Sequence, residues 1–363
     1  MSLRALWKPL PIPSAQASAL SRSSHGLARV DDAIYIFGGE HEPRTPVKGD
    51  LTVLTAIDPS SAVGQVSTVA STPNGGGAWP TSRVGASFVS ARSNGKVYLW
   101  GGRGGKEMGT FEHERGIWEF DPAAQRWTEL ETHGTSGARD VPEPRSFHTM
   151  CESEGKLYLH AGCPSSGRLA QLHSLDLETL AWSRLADAPG PGRGGTVLIA
   201  LPRTSASAGR GPTLARFGGF AGYELDGLDL YDVDAREWRT VAVEGDKPAN
   251  RSVYVFVGLD GELEWDAKRV VAVLAMGERE GAPAELGHNG AGFFHDDAWA
   301  LLEADGAFSW KRLERSARSE GGAEARGWLP SAHVSGSRIV FQGGLNEKNE
   351  RLSDAWTLQV VVE

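Results

Sequence analysis

One loop of this sequence concentrates side chains able to bind a metal. In GEREGAPAELGHNGAGFF (Gly277 to Phe294), Glu278, Glu280, Glu285 and His288 follow one another closely. Two carboxylates and an imidazole make a facial ligand set that leaves positions open on Fe(II) or a similar divalent ion. Judged by spacing alone, a polar loop with three Glu and one His is usually just solvated. A second set is cationic. The segments SRSSHG, SRVGAS, PRSFHT, GRGGTV, NRSVYV and ARGWLP each carry an arginine in one register: Arg22, Arg83, Arg145, Arg193, Arg251 and Arg326. Arg103 directly follows a Gly-Gly pair. Planar guanidinium forks suit sulfate, sulfonate, phosphate or carboxylate. The competing reading is structural, with these arginines paired to acids on neighbouring repeats, such as Glu40, Glu278 or Asp121. Arg83, Arg103 and Arg193 are the strongest ligand candidates, the last because GRGG lets a ligand approach the backbone.

These residues are spaced by a repeat. Short β-branched or aromatic runs end in a small pair at AIYIFGG, KVYLWGG, KLYLHAG, TLARFGG, VVAVLAMG and RIVFQGG, 57 to 67 residues apart. Each is followed by two alternating runs around an Asp-containing turn, as in GIWEFDPAAQRWTEL and LDLYDVDAREWRTV, which is a hairpin signal. The period resembles that of kelch repeats stretched by loops. The reading is a single all-β, six-bladed kelch-type β-propeller over residues 1–363. Its blades fall near 21–70, 82–131, 144–187, 192–243, 250–314 and 325–363, the last closed by the N-terminal strand within 1–12. In a four-stranded blade the entry to strand one and the exit of strand two share one end of the sheet. The arginines and the Glu/His loop are therefore expected around one mouth of the central channel, where Trp328 either walls the pocket or, equally well, packs between blades. Leu201 to Gly211, Gly281 to Gly287 and Ser316 to Glu324 read as surface insertions.

The net charge of −9 gives no support for nucleic-acid binding, which wants a basic field. No apolar run approaches a membrane span, and the N-terminus MSLRALWKPLPIP lacks the apolar stretch of a signal peptide. Cys151 and Cys163 form no disulfide framework. The expectation is a cytoplasmic protein. His295 to Asp297 read as the opening of a strand, and His25 and His148, each three residues after its arginine, as structural.

Several segments are more specific than the generic repeat: PRSFHTM, GRGGTV, FGGFAGYELDGLDLYD, DKPANRSVYVF, GE followed by GHNGAGFF, ARGWLPSA and GGLNEKNERLSDAWTL. They resemble the plant glucosinolate-specifier proteins, that is, the nitrile-specifier, epithiospecifier and thiocyanate-forming proteins. The resemblance implies a ferrous site built from Glu-x-x-x-Asp-x-x-x-His in the Glu/His loop, and arginines holding the sulfate of an unstable aglucone. That aglucone is steered toward nitrile, thiocyanate or epithionitrile. Glu278 matches the family Glu and His288 the family His. The interval here is ten residues, and Ala282 and Ala284 stand where an Asp would fall, so Glu285, ahead of Glu280, is expected to supply the second carboxylate.

Two functions follow. One is a non-redox lyase or isomerase that binds Fe(II) on Glu278, Glu285 and His288. It would hold a small anionic, sulfur-bearing intermediate among Arg83, Arg103, Arg145, Arg193, Arg251, Arg326 and Trp328. The other is a binding scaffold whose mouth recognises a protein partner without chemistry.

Overall fold

The computed structural model describes all residues except 56–64, 72–77, 113, 115, 204–210, 244, 284 and 287–289. Among the described residues six blade sheets follow one another along the chain, antiparallel except for short parallel edge strands in blades three and six. Blade two is typical: Ser87–Ala91, Lys96–Trp100, Gly116–Asp121 and Arg126–Glu131 run from the axis outward. Blade six combines Ser331–Ser335, Arg338–Gln342 and Ala355–Val362 with the N-terminal Leu3–Pro9, paired from Leu3 opposite Val362 to Pro9 opposite Trp356. The closure goes further than the sequence suggests. Glu314–Arg315 adds a parallel strand outside Leu3–Pro9. The segment read as a surface insertion lies along that edge, with Ser316 N–H donating to Ala5 O and Glu320 N–H to Trp7 O. Both edges of the N-terminal strand are thus satisfied, which leaves no seam.

The core lies between blades. Trp127, on the outer strand of blade two, stacks with Phe88 and meets Phe37 of blade one at 5.4 Å. Trp182 of blade three is fully buried and meets Trp100 of blade two at 6.2 Å. Sheets joined face to face by large rings bury most of their area in such cushions.

Near the axis the blades are tied by backbone. The second residue of each small pair donates its N–H to the carbonyl of the next blade's arginine: Gly39 to Arg83, Gly102 to Arg145, Gly162 to Arg193, Gly219 to Arg251, Gly277 to Arg326 and Gly344 to Arg22. A side chain at Gly102 would meet Val84 O at 2.9 Å, and its φ of +94° is one that only glycine adopts readily. Two residues after each arginine a second ring closes on itself. Ser24, Gly85, Phe147, Gly195, Val253 and Trp328 each donate N–H to the carbonyl of the preceding member. All six have φ between +48° and +63°. For β-branched Val253 this is a strained conformation, held because the ring hydrogen bonds demand it.

Candidate functional site

The second ring forms the waist of the channel. Phe147 and Trp328 belong to opposite blades, and their rings meet edge to face at 5.5 Å across the axis. With Val253 they divide the channel into two cavities, of about 610 Å³ above and about 830 Å³ below. The upper one is the mouth that the sequence analysis points to, bounded by the residues that follow the small pairs.

The six registered arginines do not crown it. Arg22, Arg83, Arg145, Arg193, Arg251 and Arg326 are all at most 4% exposed. Each donates from Nη1 to a carbonyl at its own blade's small pair: Gly38, Gly101, Ala161, Gly218, Met276 and Gly343 respectively. Most of the remaining donors also stay within the blade. Arg83 pairs with Glu114, Arg251 with Asp297 and Arg326 with Asp354, while Arg145 donates to Gln171 Oε1 at 2.7 Å. The assignment of Arg83, Arg145, Arg193, Arg251 and Arg326 as ligand contacts is therefore corrected, because their donors are spent pinning the chain reversal at the small pair. The suggested acids are corrected too. Glu40 pairs with Arg351 and Asp121 with Lys96, and Glu278 has no cationic partner among the described residues. Where no carboxylate is hydrogen-bonded, burial lowers the arginine pKa to about 10 at Arg22, Arg145 and Arg193, so they remain charged at neutral pH.

Arg103 does reach the mouth. Its Nε donates to Ser146 Oγ at 2.8 Å and its guanidinium lies over the Phe147 ring at 5.1 Å. Arg168, which sequence reasoning missed, lies over Phe220 at 4.7 Å in the same cavity. The available signal was its place in the loop after the third small pair, the counterpart of the loop holding Arg103. Neither guanidinium has a protein partner for its terminal nitrogens among the described residues. Cys163 lies between their fields. Burial raises its thiol pKa and the two arginines lower it only in part, which disfavours a thiolate nucleophile.

Across the mouth, Glu278 follows Gly277 and is 7% exposed. Burial, then the charge of Glu224, raise its pKa to about 7, against a hydrogen bond from Trp328. Burial also raises Glu224, whose Oε1 accepts a long hydrogen bond from Ser252 Oγ. A buried carboxyl with no cation facing it suits a metal ligand. Glu285, however, is exposed, and His288 lies outside the described residues. Among the described residues no three ligating groups converge. Trp328 belongs to the mouth, as floor and as Glu278's partner. His295 and Asp297 are structural, accepting or donating hydrogen bonds with Asn250, Arg251 and Trp299.

Residues 24–263 match the family described as the KLHDC2/KLHL20/DRC7 Kelch-repeats domain. The chain is a kelch-repeat protein. Over 379 aligned residues, 99% of this kelch protein and 98% of the relative, it is 25% identical to N-(sulfonatooxy)prop-2-enimidothioate sulfolyase of Thlaspi arvense. It is 27% identical over 240 residues to acyl-CoA-binding domain-containing protein 4 of Arabidopsis thaliana, covering 64% of this chain but 32% of that protein. The solved structure of YjhT matches with a TM-score of 0.62 at 16% identity, over 94% of this chain and 98% of that one, a likeness of fold alone. No described helix is long and apolar enough to cross a membrane.

Proposed function

We propose that this kelch protein is a specifier-like lyase whose upper mouth takes a small, anionic, sulfur-bearing intermediate. The observation that carries this reading is the pair of guanidiniums, Arg103 and Arg168, open toward one cavity that also holds a buried Glu278 with no cationic partner among the described residues. The sulfolyase of Thlaspi arvense, similar along nearly the whole chain, supports it. On the way to a nitrile, the N–O bond of an N-sulfonatooxy imidothioate breaks with its electron pair leaving on the sulfate oxygen, the C–S pair becomes the third C≡N bond, and sulfur leaves at oxidation state zero. Guanidiniums bind the sulfate bidentately and stabilise the charge gathering on it. Phe147 and Trp328 close the floor and keep water from entering along the axis. Without a metal, burial and the charge of Glu224 raise the pKa of the Glu278 carboxyl to about 7, so a cation bound there would draw it into the carboxylate form. Fe(II) is part of the proposal: Glu278, with Glu285 and His288 of the same loop, would hold the ion, which would supply coordination to sulfur.

The test uses N-(sulfonatooxy)prop-2-enimidothioate generated in situ. The protein is expected to change the ratio of nitrile to spontaneous product. Arg103→Ala or Arg168→Ala should weaken this tenfold or more, the worth of a charge-assisted hydrogen bond of about 1.5–3 kcal/mol. An unchanged product ratio at saturating protein refutes it. The second reading, a scaffold for a protein partner, draws on exposed Tyr223, Leu286 and Phe293 of blades four and five. It predicts no product change and loss of partner capture on Tyr223→Ser.

A further inference from the structure

The lower cavity is untouched by this chemistry, and its opening is knitted by polar contacts between blades. Arg92 N–H donates to Glu152 Oε2 at 3.3 Å, tying blade two to three, and Arg203 pairs with Glu154, tying four to three. Arg269 donates to Arg203 O, joining five to four. Gly336 N–H donates to Asp260 Oδ2 at 2.8 Å, joining six to five, and Arg29 donates to Val334 O at 2.7 Å, joining one to six. One contact is not between neighbours. Arg92 of blade two reaches past blade one to His333 of blade six, with Nη2 3.0 Å from Nδ1. Both residues line the lower cavity, so this bond runs as a chord across its opening.

The chord sets the state of the imidazole. An arginine only donates, so Nδ1 must accept. Nε2 lies 3.0 Å from Gly336 O and 3.5 Å from Asp260 Oδ1, both acceptors, so Nε2 carries the hydrogen. Neutral His333 thus satisfies every neighbour. Once protonated it would present an N–H and a positive charge to the Arg92 guanidinium. The charged groups facing it are Asp260 from blade five, Arg92 from blade two and Arg29 from blade one, the last 4.0 Å from Asp32. We propose that Arg92 and His333 form a latch across the lower end of the channel, shut while His333 is neutral and released when it is protonated. Burial first, and the two arginines in addition, hold the His333 pKa below the ordinary histidine value, so release falls on the acid side of neutrality. The waist formed by Phe147 and Trp328 blocks the axis above, which makes the lower opening the axial route into this cavity. This inference does not depend on the upper mouth's chemistry.

Cys151 is a built-in reporter, since it lines the lower cavity and is buried. In a Cys163→Ser background its labelling by 4,4′-dithiodipyridine is measured at pH 7.5 and 5.5, each rate divided by that of the same variant in urea. The expected result is slow labelling at pH 7.5 and at least a fivefold rise at pH 5.5. Adding Arg92→Ala should make labelling fast at both pH values. Adding His333→Gln should make it slow at both, because the amide accepts from Arg92 and donates to Gly336 without titrating. The latch is overturned if Arg92→Ala labels no faster at pH 7.5, or if His333→Gln keeps the full acid rise. Should His333→Gln fail to fold by circular dichroism, the Arg92 comparison decides alone.

Discussion

Glu278→Gln is expected to stabilise the metal-free protein, and to do so only above mildly acidic pH. The folded-state pKa is raised to about 7 from an ordinary value of 4.5, chiefly by burial. Between these values the folded state binds more protons than the unfolded state, so stability falls as pH rises through this window and levels above pH 7. At 1.36 kcal/mol per pH unit the full cost is about 3 kcal/mol at pH 8 and near zero at pH 4. Glutamine keeps an acceptor for the Trp328 hydrogen bond but carries no charge, so it removes the cost. Urea unfolding of both proteins in EDTA at pH 4.5 and pH 8 measures the difference. A gain that appears at pH 8 and vanishes at pH 4.5 supports the picture of an uncompensated buried carboxyl. Equal stability at both pH values, or a loss at pH 8, would show that Glu278 is solvated or has a cationic partner, and would remove the physical ground for treating it as a metal ligand of the mouth.

Arg251→Ala should cost about 3–5 kcal/mol in urea unfolding, because it strands Asp297 in a largely buried site and frees the Met276 carbonyl. Arg103→Ala should change stability by about 1 kcal/mol or less while abolishing the rise in melting temperature caused by sulfate, so the two variants separate clamp from ligand site. Acid should unfold the protein early. Burial lowers the pKa of both His148 and His173 to about 3 from 6.5, so the unfolded state binds more protons between those values and stability falls as pH drops through 6.5 toward 3. At pH 5 each contributes about 2 kcal/mol of loss, and His148→Phe should remove its share in acid melts.

The sequence alone settles the repeat, the number of blades, the closure by the N-terminal strand and the placing of Glu278 beside the mouth. These follow from local signals: alternating side chains, a small pair where backbone meets backbone, and a turn residue between strands. It also marks the six arginines as equivalent. It does not show which way they point. Their direction depends on a chain reversal at positive φ and on carbonyls 16 to 25 residues away, so an arginine in a constant register reads the same whether it clamps its own blade or faces a ligand. Arg168 carries no register signal, and only the third blade's loop brings it into the cavity that Arg103 lines. The meeting of Phe147 with Trp328 and the reach of Arg92 to His333 join residues 181 and 241 positions apart. Such pairs become neighbours only when six sheets close around an axis, and no local pattern encodes which two of them face each other across it.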